Sequence, residues 1–370
     1  MTQPARPVHG LRRAMVLGGP VALAALTAAG LPTGAAALPP RRLVFPRDHG
    51  AHPELRTEWW YVTGHAESGG RRFGFQVTFF RSRVDGTQAL QSRLAARQLL
   101  FAHAAITDLA GRRLWHDQRI AREGPGGSRA ATQDTDLQVD RWSLRRDPAS
   151  GHYHARIRGD ALAMDLRFEP TQALLLQGRE GLSRKGPQPE QASYYYSLPQ
   201  LAARGELGFQ SERFAVTGKA WLDHEWSEAL LHPDAVGWDW IGMNYHDGSA
   251  LTAFRLRRRD GSTLWSGGSF RTRNSRGVQT FIAGPGEVEF SPQRFWTSPL
   301  SRARYPVEWI VRTPADFYTV RALLDAQEMD SRASTGALYW EGLSELVDSN
   351  GQPVGLGYLE MTGYAAPLRL

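Results

Sequence analysis

The feature that most narrows what this chain can fold into is a two-residue alternation of apolar and polar side chains that returns along its length. Between Arg71 and Arg83, Phe73, Phe75, Val77 and Phe79 fall on one side of the repeat, the pattern of a half-buried strand. Leu162, Met164, Leu166 and Phe168 repeat it, with Ala163, Asp165 and Arg167 between them. Turn dipeptides punctuate the chain at Asp85-Gly86, Asp247-Gly248, Asp260-Gly261 and Asn350-Gly351, where glycine tolerates the positive φ of a tight hairpin. Helical periodicity is scarce, and its best instance runs from Gln88 to Leu100. Short strands joined by short turns predict an all-β chain of antiparallel sandwiches or barrels rather than a parallel α/β sheet. At 370 residues there is room for two domains, and Ser227 to Gly237 is the best joint, because a new run of hairpins begins at Trp238.

The amino terminus has a different character. Residues 1–13 are polar and basic, Ala14 to Leu31 are mostly apolar and small, and Ala35-Ala36-Ala37 offers a small-residue cleavage site. Residues 1–37 therefore read as a cleaved signal peptide, and the mature chain is expected to be soluble, without a membrane span, in the periplasm or secreted. Gly18, Gly19, Pro20, Gly30 and Pro32 interrupt the apolar run, which weakens the alternative of a membrane anchor. Arg12-Arg13 loosely resembles a twin-arginine signal, so Sec and Tat export both stay open. The chain has no cysteine, which excludes disulfides, thiolate nucleophiles and cysteine-rich zinc sites. Its formal charge is +7. Arg6, Arg12 and Arg13 supply three of those charges within the signal, the remaining arginines are interleaved with acids, and no basic tract points to nucleic acid.

No G-x-S-x-G elbow, H-E-x-x-H helix, Walker loop or G-x-G-x-x-G turn is present, which argues against a serine hydrolase, a zincin, an NTPase and a dinucleotide enzyme; no cofactor is expected. The unusual feature is twelve tryptophans, several beside acids: Glu58-Trp59-Trp60, Trp221-Leu222-Asp223-His224-Glu225-Trp226, Trp238-Asp239-Trp240 and Trp340-Glu341. Residues two apart share a strand face, so Trp221 with Asp223, Trp238 with Trp240, and Tyr194 with Tyr196 can line one cavity. The competing reading has the indoles filling barrel cores and the carboxylates capping turns. A carboxylic acid in a dry aromatic cavity keeps its proton near neutral pH and can act as a general acid, and aromatic faces can stabilise a carbocation. Asp48-His49 with His52, and His152-Tyr153-His154, lack an identifiable third ligand, so no metal site is expected.

The segment from Asp48 to Gly64, with Asp48-His49-Gly50-Ala51-His52-Pro53-Glu54 leading into Glu58-Trp59-Trp60-Tyr61, closely resembles the opening motif of the AttH and carotenoid 1,2-hydratase (CrtC-like) superfamily. Ala102-His103-Ala104, Ser193-Tyr194-Tyr195-Tyr196-Ser197, Lys219-Ala220-Trp221-Leu222-Asp223-His224-Glu225-Trp226 and Tyr339-Trp340-Glu341-Gly342 extend the likeness to about Tyr364. The resemblance implies two lipocalin-like antiparallel β-barrel domains, at residues 43–228 and 232–370, around an apolar cavity with a few polar groups. It implies a hydrophobic ligand of lipid or isoprenoid type, and members of the family are described as accessory to ABC transporters. The alternative it carries is a hydro-lyase. In that case Asp223 protonates an isolated alkene, Trp221, Trp226 and Tyr194 stabilise the cation, and His224 or Glu225 holds the water. Trp60, Tyr196, Trp238 and Trp240 are then expected to bind ligand, and Glu58, His103 and Glu341 to be structural or site residues. In a third reading, Glu58, Trp60 and Trp238 simply hold the two barrels together.

Overall fold

A computed structural model describes residues 37–368 except 93, 125, 275 and 276; apart from Ala37, the expected signal segment lies outside the described residues. Among these the chain is all-β, with two single 3-10 turns at Arg47–His49 and Asp85–Thr87 and no α-helix. No helix among them is long and apolar enough to cross a membrane.

The first sheet is built from β1 (Thr57–Ser68), β2 (Arg71–Arg83), β3 (Gln98–Asp108), β4 (Arg113–Arg122), β5 (Arg129–Ala130), β6 (Asp136–Val139) and β7 (Trp142–Arg146). It continues through β8 (Tyr153–Arg158), β9 (Leu162–Glu169), β10 (Leu175–Leu176), β11 (Leu182–Arg184), β12 (Ala192–Phe209) and β13 (Glu212–Ser227). Its order is β4-β3-β2-β1-β13-β12-β9-β8-β7-β6-β5, with β10 and β11 paired to β12. Strands β3 and β4 touch β6, and β4 also touches β9, so the sheet rolls toward closure. After Ser227 the chain enters a second sheet: β14 (Gly237–Tyr245), β15 (Ala250–Arg257), β16 (Thr263–Asn274), β17 (Gly277–Ala283) and β18 (Glu289–Pro292). A small ladder of β19 (Phe295–Thr297) with β20 (Arg304–Pro306) intervenes before β21 (Glu308–Arg312), β22 (Phe317–Ala322), β23 (Glu328–Ser331), β24 (Ala337–Val347) and β25 (Pro353–Met361). The second sheet runs β17-β16-β15-β14-β25-β24-β22-β21-β18, with β23 on β24. The ladders at the centre of both sheets are antiparallel, as the hairpin spacing predicts.

Gly248, Gly261 and Gly351 take the positive φ expected of hairpin turns, at 90°, 85° and 79°. Asp85-Gly86 differs: it starts a long link from β2 to β3 instead of a tight hairpin. The helix expected over Gln88 to Leu100 does not form either. Leu90 and Leu94 are 48% and 62% exposed, so an apolar stripe there has nothing to pack on. Side chains instead take up the link's carbonyls, Arg97 at Leu90 and Arg122 at Leu94, and from Gln98 the chain pairs with β2.

Phe73, Phe75, Val77 and Phe79 turn inward, as their alternation predicts, and meet Leu162, Met164, Leu166 and Phe168 in the core of the first sheet. Ile241, Met243, Trp309, Val311, Trp340 and Leu359 form a separate core for the second sheet. A third apolar cluster, with Tyr61, Trp221, Trp240, Phe254, Leu343 and Tyr358, joins residues of both sheets.

Candidate functional site

Side chains along β13 alternate between two environments, and the register fixes which neighbours each one meets. Asp223 lies opposite Tyr61 of β1 and Ser197 of β12; Glu225 lies opposite Trp59 and Tyr195. Between them His224 pairs with Trp60 and Tyr196, and Trp226 with Glu58 and Tyr194. Because directly opposed residues share a face, Asp223 and Glu225 face the second sheet while His224 and Trp226 face the interior of the first.

On the Asp223 side the two sheets enclose a cavity of about 250 Å³. Trp59, Phe80, Phe101 and Leu231 line it from the first sheet and the connection that follows, and Trp238, Trp240, Phe254 and Leu256 from the second. Asp223 is 3% exposed. It accepts hydrogen bonds from the Tyr195 hydroxyl (2.7 Å), the Trp221 indole N–H (2.7 Å) and the Ser197 hydroxyl, and the Trp240 indole N–H donates in turn to the Tyr195 oxygen (3.2 Å). Burial pushes the Asp223 carboxyl up, the three donors pull it back, and nearby Glu225 adds to the rise, leaving it at about 7. Glu225 is held differently, by the Lys185 ammonium at 3.0 Å and the Ser193 hydroxyl; Lys185 also lies 4.1 Å from the Phe254 ring centre.

The opposite wall carries two more acids. Glu341 of β24 is directly across from Glu360 of β25, and both line the cavity. Burial lifts both carboxyls, Glu360 to about 8 and Glu341 well above the carboxylate range, with their mutual repulsion adding to the rise at Glu341. His103 reaches the same wall, its Nδ1 2.9 Å from the Tyr339 hydroxyl and its Nε2 2.8 Å from Ser334 Oγ. Burial lowers it to about 3, so its ring is neutral.

The other face of β13 carries a packed polar network. Glu58 accepts from Arg81 Nε (2.8 Å) and the His52 amide (2.8 Å), and lies 2.7 Å from His52 Nδ1 and 2.9 Å from His224 Nε2. His52 Nε2 reaches Asp48 at 2.9 Å, and His49 Nδ1 reaches the Tyr196 hydroxyl at 2.7 Å. Trp226 stacks on His52 and Trp60 on His224. Burial opposes charge on all of these groups. Hydrogen bonds to His224 and His52 nevertheless hold Glu58 below its ordinary range, and Asp48 and Glu58 raise His52, whereas His224 falls to about 4. His52, Glu58 and His224 bring three ligand atoms close enough to share a cation. Each of those atoms is already hydrogen-bonded within the network, however, and the Arg81 guanidinium occupies the far oxygen of Glu58. The arrangement anchors the Asp48–Glu58 segment to β1, β2 and β13.

The expected site residues are thus divided between two places. Asp223, Glu225, Trp238, Trp240, His103 and Glu341 come together at the cavity, and Trp221 stands behind Asp223 as its hydrogen-bond donor. Trp60, Tyr196, Trp226 and His224 belong to the opposite face, so His224 cannot hold water beside Asp223; strand alternation alone separates them. Glu58 borders the cavity with its carboxylate committed to the network. Tyr194 is also on that face, donating to the Pro39 carbonyl (2.5 Å) under the Arg41 guanidinium. Tyr195 takes the place given to Tyr194 and Tyr196. Tyr195, Lys185, Tyr61, Tyr339 and Glu360 were not anticipated as site residues. Two of them carried a signal: Lys185 is one of two lysines, and Glu360 interrupts the otherwise uncharged run Gly355-Leu356-Gly357-Tyr358-Leu359.

A family model described as AttH-like matches residues 36–364. A Nitrosomonas europaea crystal structure assigned to AttH is similar at 44% identity, covering 89% of this chain and 99% of that one with a TM-score of 0.82. Kievitone hydratase from Nectria haematococca is similar in fold at 14% identity, over 88% of this chain and 94% of its own, with a TM-score of 0.67. No curated protein matches the chain.

Proposed function

The chain belongs to the AttH-like family, and on that footing we propose that it binds an apolar small molecule, of lipid or isoprenoid type, in the cavity between its two sheets. The observation that carries this reading is the cavity wall itself, in which indole, phenyl, phenol and leucine side chains surround a few buried polar groups, the usual composition of a small-molecule site. A volume of about 250 Å³ is near the lower limit of pockets that hold drug-sized ligands, roughly 300 Å³, so a long isoprenoid would place only its end inside. Export through residues 1–37 and hand-over to or from a transporter of the ABC class form the proposed setting.

A second reading is favoured by Asp223, whose proton is held to about pH 7. In it the Asp223 carboxyl gives its proton to one carbon of an isolated alkene, forming a C–H bond and leaving a cation on the other carbon. Water then forms the C–O bond and returns a proton to the Asp223 carboxylate. One experiment separates the two readings: incubation of the protein with a lipid extract in oxygen-18 water, followed by mass spectrometry of what it retains. A molecule retained unchanged supports binding alone, one that has gained labelled water supports the hydratase, and no retained molecule overturns both. For the hydratase, Asp223→Asn should lower turnover by about a hundred- to ten-thousand-fold with the fold intact.

A further inference from the structure

The wall opposite Asp223 has a property that an apolar pocket does not require. Glu341 is 2% exposed, and no well-formed hydrogen bond reaches either of its carboxyl oxygens. The phenols of Tyr61 and Tyr339 are the donors nearest to it and favour its charged form, but neither is well aligned on it, and the Tyr339 hydroxyl is also engaged by His103. Glu360 faces Glu341 across the ladder, with the Trp238 indole N–H beside it. Acids directly opposite one another in a sheet repel, and a buried polar group without a partner is costly enough to call for an explanation.

The cations that line the cavity do not supply one. Lys185 is taken by Glu225, Arg81 by Glu58, Gln98 and two backbone carbonyls, and both nitrogens of His103 are occupied. Aromatic faces surround the pair instead: Tyr61, packed edge-on against Trp240 with ring centres 5.3 Å apart, together with Tyr339 and Trp238. Acids without a cation, set beside aromatic rings, are the chemistry that recognises an organic cation.

We propose that Glu341 and Glu360, with Tyr61, Tyr339 and Trp238, form a cation-recognition site, and that the ligand carries an alkylammonium head on its apolar body. This inference rests on the ligand-binding reading above and deepens it by naming the head group. In the empty cavity the two carboxyls keep their protons. An arriving ammonium displaces one proton to solvent and pairs with the carboxylate left behind, its remaining surface meeting the ring faces. An anionic head such as a fatty-acid carboxylate finds no countercharge at this wall and would keep both acids from ionising, so it binds less tightly than the ammonium.

The test is isothermal titration of the full chain with decylamine, decanol and decanoate at about pH 7.5, in phosphate and in Tris. Decylamine should bind more tightly than decanol by about tenfold or more, its heat should differ between the buffers because a proton is released, and decanoate should bind more weakly than decylamine. Glu341→Gln and Glu360→Gln should each reduce the amine-to-alcohol preference by about tenfold. Equal binding of amine and alcohol, or a preference that survives both substitutions, overturns the inference while leaving the apolar-ligand reading in place. If neither decanol nor decylamine binds, both fail. Should either variant not fold, the buffer dependence of the unaltered protein decides: amine heats that are identical in the two buffers overturn the proposal.

Discussion

Asp223 and Glu225 are two residues apart on the same face of β13, yet the fold treats them in opposite ways: Glu225 receives a lysine, and Asp223 receives only neutral donors. With Glu341 and Glu360 opposite, the cavity gathers carboxyls that burial holds in the protonated form. This has a consequence for stability. A carboxyl whose value rises on folding favours the native state fully below its unfolded value, and that contribution is lost as pH climbs toward its folded value. For Glu360 the window runs from 4.5 to about 8. The buried histidines His49, His103 and His224 act in the other direction, since their lowered values penalise the native state below about 6.5, so the test must be a difference between variant and wild type. Glu360 keeps some contact with solvent, which screens much of this effect, so Glu360→Gln should gain stability relative to wild type between about pH 5 and 8 by on the order of 1 kcal/mol. Thermal melts of both proteins at the two pH values check this, and a difference that does not change with pH would count against a protonated Glu360.

Among the elements, β13 was legible only in part and β12 was not. Trp221, Asp223 and Glu225 alternate with Leu222, His224 and Trp226, which is enough to separate the two faces of β13, yet the expected site draws on both by putting His224 and Trp226 with Asp223, and which face meets a cavity depends on the second sheet. In β12 the residues from Ala192 to Leu201 are buried on both faces; three successive tyrosines then carry no phase, and only the pairing with β13 assigns Tyr195 to Asp223. The strands of the first core were legible because one apolar face is enough to define a half-buried strand, whereas Glu341 and Glu360 meet through a register between β24 and β25 that no local pattern encodes. The opening motif near Asp48 was recognisable as a unit, and its purpose emerges from Arg81 of β2. That guanidinium binds Glu58, Gln98 and the carbonyls of His52 and Leu55, tying a segment without regular pairing to β1, β2 and β3. Arg81→Met would leave Glu58 buried without its cation and should destabilise the fold by about 3–5 kcal/mol. Arg83→Met, two residues along and partly exposed in its pairing with Glu228, should cost about 1 kcal/mol or less. Urea unfolding of the two variants measures the contrast, and comparable losses would show that the network is not what anchors the segment.

At the scale of the whole molecule, the question is whether the two sheets act as one body. The third apolar cluster joins them, and buried hydrogen bonds cross beside it: Thr107 to Gln327 (2.7 Å), Ser269 to Gln177 (2.8 Å) and the Gln200 amide to Asn244 (2.8 Å). Separating the sheets would expose these groups together with the aromatic cluster, so neither sheet has an inexpensive way to unfold first. Gly74 marks how close the approach is, since a Cβ there would lie 2.7 Å from the Tyr358 hydroxyl and 2.9 Å from Leu343 Cβ. These atoms belong to the second sheet, whereas Gly74 belongs to β2 of the first. Calorimetry should therefore record a single transition whose calorimetric and van't Hoff enthalpies agree. Gly74→Val, which overpacks the junction, should lower that one transition by about 1–3 kcal/mol of stability without splitting it, and should weaken decanol binding because the cavity lies along the same junction. Two separate transitions in the unaltered protein would mean that the sheets are independent bodies, and the cavity between them would then be a mobile cleft instead of a preformed site.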